Sequence, residues 1–153
     1  MRVIDFLQRD CIVASLRATT KGAVLAELSD HLAKVVPGVE AGALRRVLEE
    51  RELLASTAIG DGIAIPHGKL DSVGHLVGAL GRAVDGIEFD SIDGKPTHLV
   101  FMLVAPTSST GVHLKALARL SRLFRDADFR KRLLAAPSGE AMYQIIAEED
   151  AKY

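Results

Sequence analysis

The apolar positions of the chain keep a helical period at both ends and lose it in the middle. Val24, Leu25, Leu28, Leu32 and Val35 recur at the spacing that gathers side chains on one helical face. Thr19 and Thr20 precede them as candidate caps, and Pro37-Gly38 follows, which predicts a helix through about Val36. A second helix is predicted over 41–54, with Leu44, Val47 and Leu48 on its buried face. Ahead of both, "CIVASL" (11–16) reads as a short strand. After them, "HLVGALGRAV" (75–84) reads as a strand, "GIEFDSIDGKP" (86–96) as a short strand and turn, and "THLVFMLVAP" (97–106) as a buried strand ended by Pro106. From Thr110 the helical period returns, with Val112, Leu114, Leu117, Leu120 and Leu123 as one stripe and Arg119, Arg122, Arg125 and Arg130 mostly off it. "ADFRKRLLAA" (127–136) and "SGEAMYQIIAEE" (138–149) read as two shorter helices, the second with Glu140 in its first turn. Strands in the centre with helices before and after predict an α/β layered domain.

Composition narrows the function classes. At 153 residues, 48% of them hydrophobic, the chain suits a single domain over 1–153 with a sizeable core. Lys+Arg 19 against Asp+Glu 20 gives a net charge of -1, so no overall field draws nucleic acid or an anionic membrane. Cys11 is the only cysteine, which excludes an intrachain disulfide, and the first residues lack a secretory pattern, so a cytoplasmic protein is expected. No apolar run reaches the roughly 18 residues of a spanning helix. Neither a zinc cluster nor an H-E-x-x-H motif is present in the sequence, and no metal or cofactor is expected.

The chemistry concentrates in "STAIGDGIAIPHGK" (56–69). A Walker A loop fails there, because Leu70 follows Lys69 and the glycine spacing is wrong, and a dinucleotide fingerprint fails because Ile65 stands where a third glycine belongs. Gly60 and Gly62 instead suit a turn before "IAI" runs as a short strand, which Pro66 makes leave the sheet. His67 is then expected at a strand end. Gly68 beside it is expected to leave the approach open and offer a backbone N–H to an oxyanion. His113 falls in the first turn of the long helix behind Ser109 or Thr110, where free N–H groups favour an anion and disfavour a protonated imidazole. Arg51, in the second helix, is a third candidate. Each also suits an ordinary role: a surface turn for Pro66-His67-Gly68, an exposed helix start for His113, a solvated charge for Arg51.

Arg51-Glu52 with "STAIGDGIAIPHGK", then "GIEFDSIDGKPTHLVFMLVAP" and "GVHLKALARLSRLF", resemble the successive signature segments of enzyme IIA domains of the fructose/mannitol and nitrogen-regulatory class, in the phosphoenolpyruvate-dependent phosphotransferase system. The resemblance spans nearly the whole chain. Without an attached B or C domain, the chain is more similar to the nitrogen-regulatory member, EIIA-Ntr, than to a sugar permease subunit. The resemblance implies a mixed β-sheet flanked by helices on both faces. It implies phosphorylation of His67, with Nε2 attacking, and makes His113 the second active-site histidine, Arg51 the motif arginine and Thr57 the motif threonine. His113, Thr57 and the backbone near Gly68 become the expected phosphoryl stabilisers, with Arg51 as a nearby cation. The expected donor is the phosphohistidine carrier HPr or its nitrogen-branch counterpart, NPr. The alternatives are a sugar-specific EIIA passing phosphate to a fructose/mannitol-type EIIB, and a regulatory module that contacts kinases, transporters or transcription regulators. A histidine-dependent hydrolase is weaker, since no acid or base has motif spacing to His67. Ala58 and Asp61 depart from the family's usual glycine and small polar residue. An apolar docking patch is expected around the site, with Ile59, Ile63 and Ala64 as candidates, although their alternation also suits the core. His31, His75 and His98 receive no role.

Overall fold

The computed structural model describes the chain from Met1 to Tyr153, the side chain of Thr110 excepted. Local signals place most helix ends. Helix α1 (Lys21–Val35) starts where Thr20 Oγ1 accepts the Ala23 N–H at 3.2 Å, so Thr20 rather than Thr19 is the cap. Helix α2 (Ala41–Leu54) is capped by the Glu40 carboxylate, which accepts from Gly42 and Ala43 at 2.9 and 2.7 Å. Both bury the expected stripes, with Val35 and Val47 half-buried at the margins. Helix α3 (Thr110–Phe124) departs from its predicted stripe. It buries His113, Ala116, Leu120, Leu123 and Phe124, while Val112 and Leu114 face solvent. Helices α4 (Ala127–Ala135) and α5 (Gly139–Asp150) follow, each with a side-chain cap, from Asp126 and Ser138.

Six strands form one mixed sheet: β1 (Leu7–Val13), β2 (Ala58–Gly60), β3 (Ile63–Ala64), β4 (His67–Leu70), β5 (Val77–Ile87) and β6 (Thr97–Pro106). The order is β1-β5-β6-β3-β2, and β4 also lies along β6. β1 runs parallel to β5, β5 antiparallel to β6, and β3 and β4 parallel to β6. The first strand begins earlier than its apolar run suggests, because Gln8, Arg9 and Asp10 are exposed on an edge strand whose backbone pairs regardless of side-chain polarity. The strand predicted over 75–84 runs from Val77 to Ile87, so Ile87 closes β5 instead of opening a separate strand; Glu88 makes only a bridge to Thr20. Gly60, Asp61 and Gly62 all have positive φ, at 92°, 57° and 78°, which makes the tight turn between β2 and β3.

Pro66 interrupts the sheet without ending it. The chain leaves β6 after Ala64 and resumes beside it at His67, and the Pro66 carbonyl still accepts the Leu103 N–H at 2.9 Å. His67 therefore opens a strand. Residues paired in a ladder share a face, and alternate residues take opposite faces. Val104, opposite Gly68, belongs to the α2 side, where a Cβ on Gly68 would meet Val47. Leu103, opposite His67, and Phe101 belong to the other side, where the Phe101 ring lies 6.4 Å from that of Phe124 on α3. Helices thus flank the sheet on both faces, and apolar residues from all six strands and all five helices form one core between the layers.

Candidate active site

Alternation along β4 sends Gly68 toward α2 and turns His67 and Lys69 toward the start of α3. His67 is half-buried. Its Nδ1 lies 2.8 Å from the Ile65 carbonyl oxygen, and a carbonyl can only accept. Nδ1 therefore carries the proton and Nε2 keeps its lone pair. Burial is the main cause that pulls the His67 pKa below its ordinary 6.5; the Ile65 carbonyl opposes it, Arg51 adds to the lowering, and Glu52 counters.

His113 meets this ring edge-on, with centroids 5.4 Å apart and planes inclined by 68°. It is 8% exposed, and its Nε2 is buried without a hydrogen-bond partner among the described residues. An unpaired buried polar atom is costly, on the order of 1–3 kcal/mol; Ser29 Oγ, Thr97 Oγ1 and Glu149 Oε2 share that condition elsewhere in the fold, and of these four His113 Nε2 is the one beside the His67 ring. Burial, then the neighbouring His67 and Lys69, lowers the His113 pKa as well. Both rings are neutral near pH 7. Ser109 takes the cap position of α3 and makes no side-chain cap bond, so it leaves the positive end of the helix beside the histidines open to an anion.

Arg51 lies in the last turn of α2, where its Nη1 donates to the Ala55 carbonyl at 2.8 Å, and its charge is felt at His67. Arg51, Thr57 and His67, from residues 51–67, and His113, from the start of α3, are thus brought to one end of the sheet. Two of the expected roles change. The Thr57 hydroxyl donates to Glu52 Oε2 at 2.6 Å and its N–H to Oε1 at 3.1 Å, so its proton is committed to a carboxylate and not offered to a ligand. Gly68 is buried, and a Cβ there would stand 2.5 Å from Val47 Cγ1; the position is glycine because α2 crosses it, not to keep an approach open.

Three residues of the site carry no earlier assignment: Glu52, Lys21 and Lys69. Lys69 was legible from its two-residue spacing to His67 on a strand. Glu52 adjoins Arg51 in the motif, but Lys21, which reaches Glu52 Oε1 at 3.0 Å, sends no signal in the sequence. Asp61 lies in the β2–β3 turn, where its N–H bonds Asp93 Oδ2 at 3.2 Å. His98 Nδ1 bonds the Ala83 carbonyl at 3.0 Å, a structural role. A hollow of about 870 Å³ lined by Arg17, Glu27, His31, Lys34 and Arg45, among others, includes none of the site residues.

A free imidazole lone pair, a second imidazole with an unpaired nitrogen, and cations on both sides suit a protein that handles an anionic group at a surface histidine. The sequence matches the family model for the phosphoenolpyruvate-dependent sugar phosphotransferase system, EIIA 2, over residues 5–149, and the chain belongs to that family. It is 40% identical over 147 residues to a nitrogen regulatory protein of Bradyrhizobium diazoefficiens, covering 96% of this chain and 95% of that one. The crystal structure of the nitrogen regulatory protein IIA-Ntr from Neisseria meningitidis superposes with a TM-score of 0.86 at 32% identity, over 93% of this chain and 97% of the other. The chain is also 38% identical over 150 residues to the fructose-specific EIIABC component of Bacillus subtilis, matching 98% of itself and 24% of that longer protein.

Proposed function

We propose that the protein is a cytoplasmic phosphocarrier of the nitrogen-regulatory EIIA kind, acting as one domain over 1–153 and carrying a phosphoryl group on His67. The observation that carries this reading is the histidine pair: His67 with Nδ1 held by a carbonyl, its ring centroid 5.4 Å from that of a buried His113 whose Nε2 has no partner among the described residues. The match to nitrogen regulatory proteins, 40% identical over 96% of this chain in one case and superposing with a TM-score of 0.86 over 93% in the other, supports that branch.

In the proposed step, a phosphohistidine on HPr or NPr presents its phosphorus to His67 Nε2. The N–P bond to the donor breaks as the new one forms, and its electron pair returns to the donor imidazole. Nδ1–H of His67 stays on the Ile65 carbonyl, which stabilises the positive charge the ring acquires. Transition states of this kind are loose, so the protein contributes mainly position and charge. Arg51, Lys69, His113 and the start of α3 face the phosphoryl oxygens. Exchange between two imidazoles is nearly balanced in energy, which suits relay to a further protein over loss to water. The docking face is supplied by Leu53 and Leu54 at the end of α2 and by Val112 and Leu114 beside His113; all four are exposed at 43% or more. Ile63 and Ala64 are core, and of the candidate strand residues only Ile59 is exposed.

Intact-protein mass spectrometry after incubation with phosphoenolpyruvate, Enzyme I and HPr or NPr tests the reading. One acid-labile phosphoryl group is expected, absent in His67→Ala and acquired about 100-fold more slowly in His113→Ala. An unlabelled wild type with both carriers, or a label that survives in His67→Ala, rejects it.

A further inference from the structure

A carboxylate that the catalytic reading leaves without a task sits directly behind the site. The Glu52 side chain is 6% exposed and accepts three donors: Lys21 Nζ at 3.0 Å and the Thr57 N–H at 3.1 Å on Oε1, and the Thr57 hydroxyl at 2.6 Å on Oε2. A buried carboxylate with three donors is fully engaged and fixed in place. The chain of bonds continues from it. The Thr57 carbonyl accepts the Ile65 N–H at 3.0 Å, and the Ile65 carbonyl accepts His67 Nδ1–H at 2.8 Å. Two neighbouring bonds stiffen the same loop: Arg51 Nη1 to the Ala55 carbonyl at 2.8 Å, and Ser56 Oγ to the Phe89 carbonyl at 2.6 Å.

We infer that Glu52 is a positioning residue for phosphoryl transfer: through Thr57 and Ile65 its carboxylate fixes the His67 ring with Nδ1 protonated and Nε2 directed at the incoming group. The inference rests on the reading of His67 as the phosphoryl acceptor. A carboxylate that orients an imidazole and fixes its tautomer is a recurrent device in catalysis; here it acts at one remove, through two backbone segments. Its charge has a second effect. Arg51 on α2, His113 on α3 and Lys69 on β4 face the same region as His67, and Arg51 together with burial makes the ring less basic. Glu52 is the opposing charge on α2, itself paired with Lys21 of α1. Adjacent residues of one helix thus divide the work: Arg51 attracts the phosphoryl group, and Glu52 keeps the nucleophile basic enough to take it.

The test is a pH titration of the His67 ring nitrogens by NMR in wild type, Glu52→Gln and Lys21→Gln, alongside the rate of phosphorylation from the carrier. Glu52→Gln is expected to move the His67 titration to lower pH, to weaken the preference for the Nδ1–H tautomer, and to slow labelling about tenfold. Lys21→Gln, which frees one Glu52 oxygen of a largely buried ion pair, is expected to move the titration the opposite way and to loosen the Nδ1–H preference, and that tautomer preference decides the question if Glu52→Gln fails to fold. A Glu52 that acts only on the fold, or only through its charge, would leave the Nδ1–H tautomer preference at its wild-type value in the folded variant, which overturns the inference. Wild-type protein that takes no phosphoryl group instead overturns the carrier reading, while the NMR titration still decides whether Glu52 sets the His67 ring.

Discussion

Helix α3 carries two buried polar clusters, and they are finished to different standards. In its middle, Arg119 donates to Asp150 Oδ1 from Nε at 2.9 Å and from Nη2 at 2.6 Å, and Nη2 also reaches the Asp150 carbonyl at 2.8 Å. Asp150, fully buried, takes the Val3 N–H at 2.5 Å and the Ile4 N–H at 3.4 Å on its other oxygen. Every oxygen is used, and the cluster ties the first residues and the end of α5 to α3. In the first turn, His113 is 8% exposed and its Nε2 bonds nothing among the described residues. One cluster closes the fold on itself; the other holds a polar atom in reserve. Stability favours the first arrangement, and an incoming anion requires the second.

Breaking the closed cluster has the largest expected effect on stability. Asp150→Ala strips Arg119 of its carboxylate partner, leaving it only backbone carbonyls, and leaves two N-terminal N–H groups unpaired; it is expected to cost about 3–5 kcal/mol, read as a fall in melting temperature of about 10 °C or more. Labelling of His67 well below that temperature should be unchanged. Equal loss of labelling in the folded variant would show that the two clusters are not independent.

Closing the open cluster should do the reverse on a smaller scale. His113→Phe keeps an aromatic ring and removes the unpaired nitrogen, so a gain of about 1 kcal/mol in urea denaturation is expected, together with slower labelling. A destabilised variant would mean that Nε2 already contributes to the resting fold.

The smallest effect is on pH dependence. His67 and His113 both have folded pKa values below 6.5, so the unfolded chain binds protons more readily than the native one. Their contribution to stability is full above about pH 6.5 and is lost as pH falls through the lowered folded values. A double variant, His67→Ala with His113→Ala, should flatten that acid slope in a series of denaturation curves between pH 5 and 7. An unchanged slope would assign the acid limb to carboxylates instead.

What could be read from the sequence followed the range of the forces involved. The bounds of α2 and β6 match their predicted spans, because caps, Pro37-Gly38 and Pro106 act within a turn or so of the chain. The three catalytic candidates were legible as separate residues, each with an ordinary alternative. The exposure of Val112 and Leu114 was not legible, since a helix with apolar residues on more than one side does not declare which face meets the sheet. Nor was the purpose of Gly68, which depends on Val47 from a helix packed across the strand.

The sequence by itself determined the helices, the buried strand along which the site is built, and the residue types able to carry a phosphoryl group, because propensity, capping and period are local properties. Tertiary structure alone decided that His67 and His113 meet, that Thr57 serves Glu52, and that Lys21 closes the chain behind them. The bond between Thr57 and Glu52 is local but depends on how the chain turns after α2, whereas the other two contacts join segments far apart in sequence, which the register of β4 on β6 and the packing of the helices against the sheet bring within hydrogen-bond and ring-contact range.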